Sequence, residues 1–182
     1  MQQIAMRCQD FPLIAMLLSA GGITCYVAYR FKDLKYGISA VFAMLHDSLV
    51  LCGVYSLLGH FYGVQIDTLF VTALLTILSF SVHDTIVVYD RIRELRKKSI
   101  SLSYEDVVNV AVTETMSRSI NNSLSIIFML FVLWLLGGES MRWFSLALLI
   151  GTVTGTYSST FTAAPLLVLW DETIEKKKKV IK

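Results

Sequence analysis

An aspartate lies inside a long apolar run of the sequence. Asp84 follows the largely apolar residues 68–82 and precedes another apolar stretch at 86–88. An ionised carboxylate at membrane depth costs roughly 2.5–3.5 kcal/mol on insertion scales. Because a chain that keeps such a group usually uses it, Asp84 is a candidate for binding and releasing a proton. Ser81 lies one helical turn earlier and can share its face.

A stripe of polar residues in a later segment supplies a possible partner for Asp84. The stripe follows helical spacing and consists of Glu114, Arg118, Asn121, Asn122 and Ser125. Such a stripe should face the bundle interior or a wet cavity and not lipid, so Arg118 can come near Asp84. A nearby guanidinium favours the ionised acid, whereas burial favours the neutral one. Withdrawal and return of Arg118 would therefore load and unload a proton; a static buried ion pair is the alternative.

A second acid, Asp47, also follows a histidine, in the pairs His46-Asp47 and His83-Asp84. Consecutive helical residues point about 100° apart, so these pairs do not converge on a metal ion, and no metal site is expected. Asp47 is predicted either to hydrogen-bond between helices or to take part in function. Two acids could also share a proton in an intramembrane aspartyl protease. The chain lacks the Gly-x-Gly-Asp motif of such proteases, so we expect no enzyme activity.

Small residues recur every fourth position near the end of the chain, at Gly151, Gly155 and Ser159. Such a pattern lets helix backbones approach closely in a membrane. It indicates static close packing or, alternatively, a helix that slides or rotates during a transport cycle.

The composition is that of an integral membrane protein. Of 182 residues, 55% are hydrophobic and 16% charged, whereas soluble domains carry about 25% charged residues. The apolar residues come in blocks long enough for membrane helices, which need about 20 residues. The net charge of +2 gives no electrostatic support for nucleic-acid binding.

The pattern predicts an all-α, polytopic membrane helix bundle forming a single transmembrane domain. The five predicted spans are residues 11–29, 36–58, 68–88, 120–136 and 143–170. Ser103 followed by Asp106 resembles a helix cap. The apolar residues at 107–112 then indicate an amphipathic cytoplasmic helix along the membrane surface before the fourth span.

The orientation follows from the positive charges. Most of the sixteen Lys and Arg residues lie in the segments 30–35, 91–98 and 176–182, which should be cytoplasmic. Five spans then place the C-terminus in the cytoplasm and the N-terminus outside. Because no signal peptide precedes the first span, an upstream helix and an external domain are expected to be missing or to lie on another chain.

Four motifs, in the same order, resemble those of the SecF family of bacterial protein-export membrane subunits. They are DTIVVYDRIRE at 84–94, SRSINNSL at 117–124, GGES at 137–140, and Gly151 with GTYSS at 155–159. The family is similar in fold to the resistance–nodulation–division transporters, and the resemblance covers nearly the whole chain. It implies that the five spans correspond to SecF helices 2 to 6, and that the first helix and the external domain after it are absent.

The resemblance further implies a function in the bacterial inner membrane. SecF-like subunits work with SecD and the SecYEG channel, and use the proton-motive force to promote preprotein translocation; other Sec accessory membrane subunits are possible partners. It implies proton-transport roles for Asp84 and Arg118 and no cofactor. His83 stands where Asn is more usual. A purely structural scaffold subunit is the alternative.

Overall fold

A computed structural model describes residues 18, 21–23, 25–27, 29–31, 33–98 and 103–180, with the backbone alone at 140 and 174–180. The described residues before 32 are helical, and the predicted span 11–29 lies mostly outside the described residues. The elements that follow are α1 (Leu34–Tyr62), α2 (Thr68–Lys98), α3 (Tyr104–Leu136), α4 (Glu139–Ser158), a π-helical turn (Ser159–Ala163) and α5 (Ala164–Val180). Within the described ranges the protein has helices and no strands.

The turn between α1 and α2 is defined by its capping residues. Gly63 ends α1 in the left-handed region, at φ 67°, and its N–H donates to the carbonyl oxygen of Gly59 over 3.1 Å. Glycine adopts this conformation without steric cost. Asp67 then accepts a hydrogen bond from the N–H of Phe70 at 2.9 Å, which caps the start of α2.

Three helices, α1, α2 and α3, are long and apolar enough to cross a membrane. At a rise of 1.5 Å per residue, the 31 residues of α2 and the 33 of α3 extend about 46 and 50 Å. The hydrocarbon core of a bilayer is about 30 Å thick, so both helices continue well beyond it.

The segment before the fourth predicted span differs from expectation. The sequence predicted a separate helix along the membrane surface, but Tyr104–Leu136 is one continuous helix. Ser103 caps it, as predicted, by accepting a hydrogen bond from the N–H of Asp106 at 3.2 Å. The apolar residues that suggested a surface helix, Val107 and Val108 among them, are instead buried in the core of the bundle.

The last predicted span, 143–170, also differs, because a π-helical turn interrupts it. Pro165 follows this turn closely. Proline cannot donate a helical hydrogen bond, and its ring clashes with the carbonyl four residues earlier in a regular α-helix. The wider π-turn, with its i→i+5 hydrogen bonds, accommodates Pro165 while the chain continues as α5.

Two apolar clusters form the core. The first includes Met44, Val82 and Tyr89, and the second includes Leu51 and Ile77. On α1, Asp47 lies between Met44 of the first cluster and Leu51 of the second. Asp47 therefore sits at the junction of the two apolar clusters.

Candidate functional site

Asp47 of α1 is completely buried, at 0% exposure. Its Oδ2 accepts hydrogen bonds from Ser81 Oγ of α2, at 2.5 Å, and from Ser158 Oγ of α4, at 2.7 Å. His46 Nδ1 lies 3.2 Å from the other oxygen, Oδ1. Asp47 therefore joins three helices through one carboxylate.

Asp84 of α2 is buried to a similar degree, at 6% exposure. Ser119 Oγ of α3 donates to its Oδ1 at 2.6 Å, and Ser159 Oγ of the π-turn donates to its Oδ2 at 2.7 Å. Each carboxylate is thus held by its own pair of serine hydroxyls. That arrangement differs from the shared proton that an aspartyl protease needs between its two acids.

The local helix geometry explains how neighbouring residues reach different acids. Ser81 and Asp84 are three residues apart on α2 and share a face, so Ser81 can bind Asp47 while Asp84 lies one turn further on. Ser158 and Ser159 are consecutive at the junction of α4 and the π-turn. Their side chains point about 100° apart, so one reaches α1 and the other α2.

The small residues predicted to allow close packing lie against α2. A Cβ atom on Gly151 would overlap the Ile77 side chain, at 2.7 Å from Cγ2 and closer to two other atoms. A Cβ atom on Gly155 would lie 3.3 Å from Cβ of Ser81. Ser159 continues this face of α4 and binds Asp84. The same face of α4 therefore brings the backbones together and completes the polar site.

Arg118 is not brought to Asp84. It is exposed, and it forms no ion pair within the described part of the chain. Instead it lines a polar cavity of about 470 Å³ with Asp90, Arg91 and Glu114, among others. The next residue, Ser119, points about 100° away around α3 and is the one that contacts Asp84.

The rest of the predicted polar stripe also faces away from the acids. Asn121, Asn122 and Ser125 are exposed on the outer surface of this chain. The expectation that the stripe faces the bundle interior is therefore wrong for these three residues, whereas Glu114 and Arg118 do line a cavity. His83 is exposed as well, without a hydrogen bond to any described residue.

Sequence reasoning missed the serine hydroxyls that hold the acids, apart from Ser81. A signal was present: Thr115, Ser119 and Ser123 recur every fourth residue on α3, and this stripe of small hydroxyls is the buried one, at 3–7% exposure. Small hydroxyls fit between closely packed helices, whereas the larger amides and guanidinium beside them do not. Ser123 and Thr156 of α4 also hydrogen-bond to each other.

The groups around Asp47 and Asp84 allow each carboxyl to gain or lose a proton without losing its hydrogen bonds. A hydroxyl can donate to a carboxylate or accept from a carboxylic acid, so serines can serve both charge states of an acid. No cation but the imidazole of His46, if protonated, lies within ion-pair distance of Asp47 or Asp84 in the described chain. The described residues hold no cluster of three or more His, Cys, Asp or Glu side chains that could bind a metal.

A network of ion pairs on α2 extends to α3 beyond the apolar segments. Arg91 lies 2.6 Å from Glu114 of α3 and 2.6 Å from Glu94 of its own helix, and Lys98 pairs with Glu94 at 2.6 Å. Hydrogen bonds from Lys98 and Arg91 lower the pKa of Glu94. The hydrogen bonds that Arg91 donates to Glu114 and Glu94 raise the pKa of Arg91. We call this end of the molecule, which also contains Arg30, the basic end.

Comparison with known proteins supplies the family. Residues 3–173 match the model described as "Protein export membrane protein SecD/SecF, C-terminal". The chain belongs to this family. Its SecD/SecF relatives include the protein translocase subunit SecF of Thermobaculum terrenum, 50% identical over 163 residues that make up 87% of this chain and 51% of the relative. The SecF of Synechocystis is 42% identical over 158 residues, 87% of this chain and 50% of the relative.

A solved SecD/SecF structure has the same fold. A crystal structure of SecDF, described as the super-membrane-facing form, superimposes with a TM-score of 0.86 at 36% identity, covering 93% of this chain and 22% of that one. The protein translocase subunit SecDF of Thermus thermophilus is 39% identical over 158 residues, 87% of this chain and 21% of the relative. This chain spans about half the length of the SecF relatives it matches. It is a multi-pass membrane protein.

Proposed function

We propose that this chain acts as a SecF-like subunit of the Sec protein-export machinery. With SecD, it uses the proton-motive force to promote the passage of a preprotein through the SecYEG channel. The observation that carries the proposal is Asp84, a buried acid in a SecD/SecF family fold. Among the described residues, its side chain is held only by hydroxyls from two other segments.

Asp84 is the proton-accepting carboxylate in this proposal. Protonation would remove the negative charge of its carboxyl, and with it the attraction for a cation, while the hydroxyls of Ser119 and Ser159 can still hydrogen-bond to it. A proton crossing the membrane releases about 2.3 kcal/mol per 100 mV of potential. A typical hydrogen bond contributes about 0.5–1.5 kcal/mol net. One proton can therefore shift the balance between two packing arrangements of these helices.

Arg118 is the switchable counter-ion, and it would act in a second arrangement. Here its guanidinium lies away from Asp84, in the cavity with Glu114. A rotation of α3 by about 100°, the angle between consecutive residues, would replace Ser119 by Arg118 at Asp84. On this proposal, Asp84 carries a proton in the present arrangement and releases it when Arg118 arrives.

The proposed location is the bacterial inner membrane, with the basic end in the cytoplasm. Lys and Arg are retained on the cytoplasmic side of membrane proteins, and the basic end carries Arg30, Arg91 and Lys98 in the described structure. The C-terminus would then be cytoplasmic and the N-terminus of this chain extracytoplasmic.

A static scaffold is the second candidate, because four hydroxyl–carboxylate hydrogen bonds between helices would also suit a subunit that only holds others together. Asp84→Asn separates the two. The variant is tested in the native membrane assembly, in vesicles that translocate a preprotein with and without a proton-motive force. Copurification with SecD reports assembly.

The proton-driven subunit should lose the part of translocation that depends on the proton-motive force and still assemble with SecD. The control is Asp33→Asn, because Asp33 caps α1 away from the site and Asn caps helices equally well; it should behave as wild type. If Asp84→Asn translocates normally at every proton-motive force, the proton role is wrong and the scaffold remains.

A further inference from the structure

Asp47 is a buried acid that has no role in the proposed function. It is 0% exposed, near the middle of the 29-residue helix α1. The groups that face it are His46 of its own helix, Ser81 of α2 and Ser158 of α4. Of these only His46 titrates, and its side chain is 42% exposed. Within the described chain Asp47 has no Lys or Arg partner.

Ser158 has two hydrogen-bond acceptors within reach. Its Oγ lies 2.7 Å from Asp47 Oδ2 and 3.3 Å from the carbonyl oxygen of Gly155 in its own helix. Ser159 repeats the arrangement, with Oγ 2.7 Å from Asp84 Oδ2 and 3.0 Å from the carbonyl oxygen of Thr156. A hydroxyl has one proton to donate and lone pairs to accept with, so each serine can change its acceptor with little movement.

Because each serine hydroxyl has two acceptors within reach, it can hydrogen-bond to its acid in both charge states. When Asp47 is ionised, the Ser158 hydroxyl donates to it. When Asp47 takes up a proton, its new O–H can donate to Ser158 Oγ, and the Ser158 proton turns to the carbonyl oxygen of Gly155. The acid gains one proton, its charge goes from minus one to zero, and no buried polar group loses its partner. Ser159 and Thr156 provide the same exchange for Asp84.

We propose that Asp47 is a second proton-exchanging carboxyl, coupled to Asp84 through Ser158 and Ser159. The inference rests on the proposed proton-driven function and adds a second acid to its site. The coupling is mechanical, because Ser158 and Ser159 are consecutive residues where the π-turn begins. A displacement that draws one hydroxyl from its acid also moves the other, so the proton affinity of each acid depends on the state of its partner.

The test is infrared difference spectroscopy on the native membrane assembly in vesicles. Spectra recorded before and after acidification detect the carboxyl groups that take up protons. A carboxyl that becomes protonated gains its own carbonyl stretching band. The wild type should show one band for Asp47 and one for Asp84, and Asp47→Asn should remove the first. Ser158→Ala, which keeps both acids, should displace the Asp47 band because that carboxyl loses a hydrogen bond.

Coupling is read from the midpoint of the Asp84 band in the same titration. Ser158→Ala should shift it by about one pH unit, a tenfold change in proton affinity. The matched control is Ser145→Ala. Ser145 is also buried on α4 and donates to its own helix, to the carbonyl oxygen of Met141 at 2.7 Å, without contacting an acid; this variant should leave both bands and both midpoints unchanged.

Several outcomes overturn the inference without touching the proposed function. One is an Asp47→Asn spectrum that keeps every wild-type band, and another is Ser158→Ala with the Asp84 midpoint unmoved. If Asp47→Asn fails to assemble, the Ser158→Ala spectra decide alone. A loss of proton-driven translocation in Asp84→Asn but not in Asp47→Asn would leave Asp84 as the single working acid. Asp47→Asn should instead lower that translocation at least tenfold.

Discussion

Gly155 of α4 lies against Ser81 of α2, close enough that a Cβ atom on Gly155 would stand 3.3 Å from that of Ser81. The hydroxyl of the same Ser81 donates to Asp47. The close approach of α2 to α4 and the binding of a buried acid are therefore parts of one contact, so packing at this helix pair and charge at the site depend on each other.

Gly151→Ala should destabilise the protein, because the added Cβ overlaps the branched part of Ile77. Overpacking of this kind costs about 1–3 kcal/mol, measured as a lower Tm by circular dichroism in detergent. Gly53→Ala is the control, since nothing lies within 4 Å of the Cβ it adds to α1. It should be neutral or stabilise the helix by up to about 1 kcal/mol. Equal melting temperatures for the two variants would contradict the close packing of α4 on α2.

Ser119→Ala and Arg118→Gln, at neighbouring positions, should differ in stability. Removing the Ser119 hydroxyl leaves a buried oxygen of Asp84 short of a donor, which costs about 1–3 kcal/mol. Arg118 is exposed and unpaired among the described residues, so its replacement should change the free energy of unfolding by no more than about 0.5 kcal/mol. Denaturant unfolding in detergent measures both. A large loss in Arg118→Gln would mean that the guanidinium already contacts Asp84.

Acidification should weaken the ion pairs at the basic end. Lys98 and Arg91 hold the pKa of Glu94 below its ordinary value of 4.5. Glu94 therefore contributes stability that is fully present above pH 4.5 and is lost as the pH falls through the lowered pKa of the folded state. Thermal unfolding as a function of pH should show this loss, reduced in Glu94→Gln. Identical profiles for the two proteins would rule out a contribution from Glu94.

The membrane class and much of the helix pattern could be predicted from the sequence, because long apolar blocks and a capping serine are local signals. The position of Asp84 in a buried site also followed from one acid in an apolar run. The unbroken α3 did not follow, since the apolar residues near Val107 fit a surface helix as well as a core-facing one. Only the contact with other helices distinguishes the two.

The contacts of Asp84 show what charge alone does not predict. Opposite charge makes Arg118 the expected partner, but in this structure helix geometry places Ser119 at the acid and turns Arg118 away. The spacing of Thr115, Ser119 and Ser123 held the relevant signal, but small hydroxyls are common and their pattern carries little weight without a partner helix. Which of two adjacent faces of α3 meets α2 is a property of packing and cannot be read from one helix alone.

The π-turn at Ser159–Ala163 also sets the phase of the helix beyond it. A π-turn holds about one more residue than an α-helical turn, so the side chains after it lie about 100° from where an unbroken α-helix of the same residues would place them. Leu167 and Ala164 reach the first core cluster through that rotation. Winding the same residues as a regular α-helix would therefore turn the apolar face of α5 to a different side of the bundle.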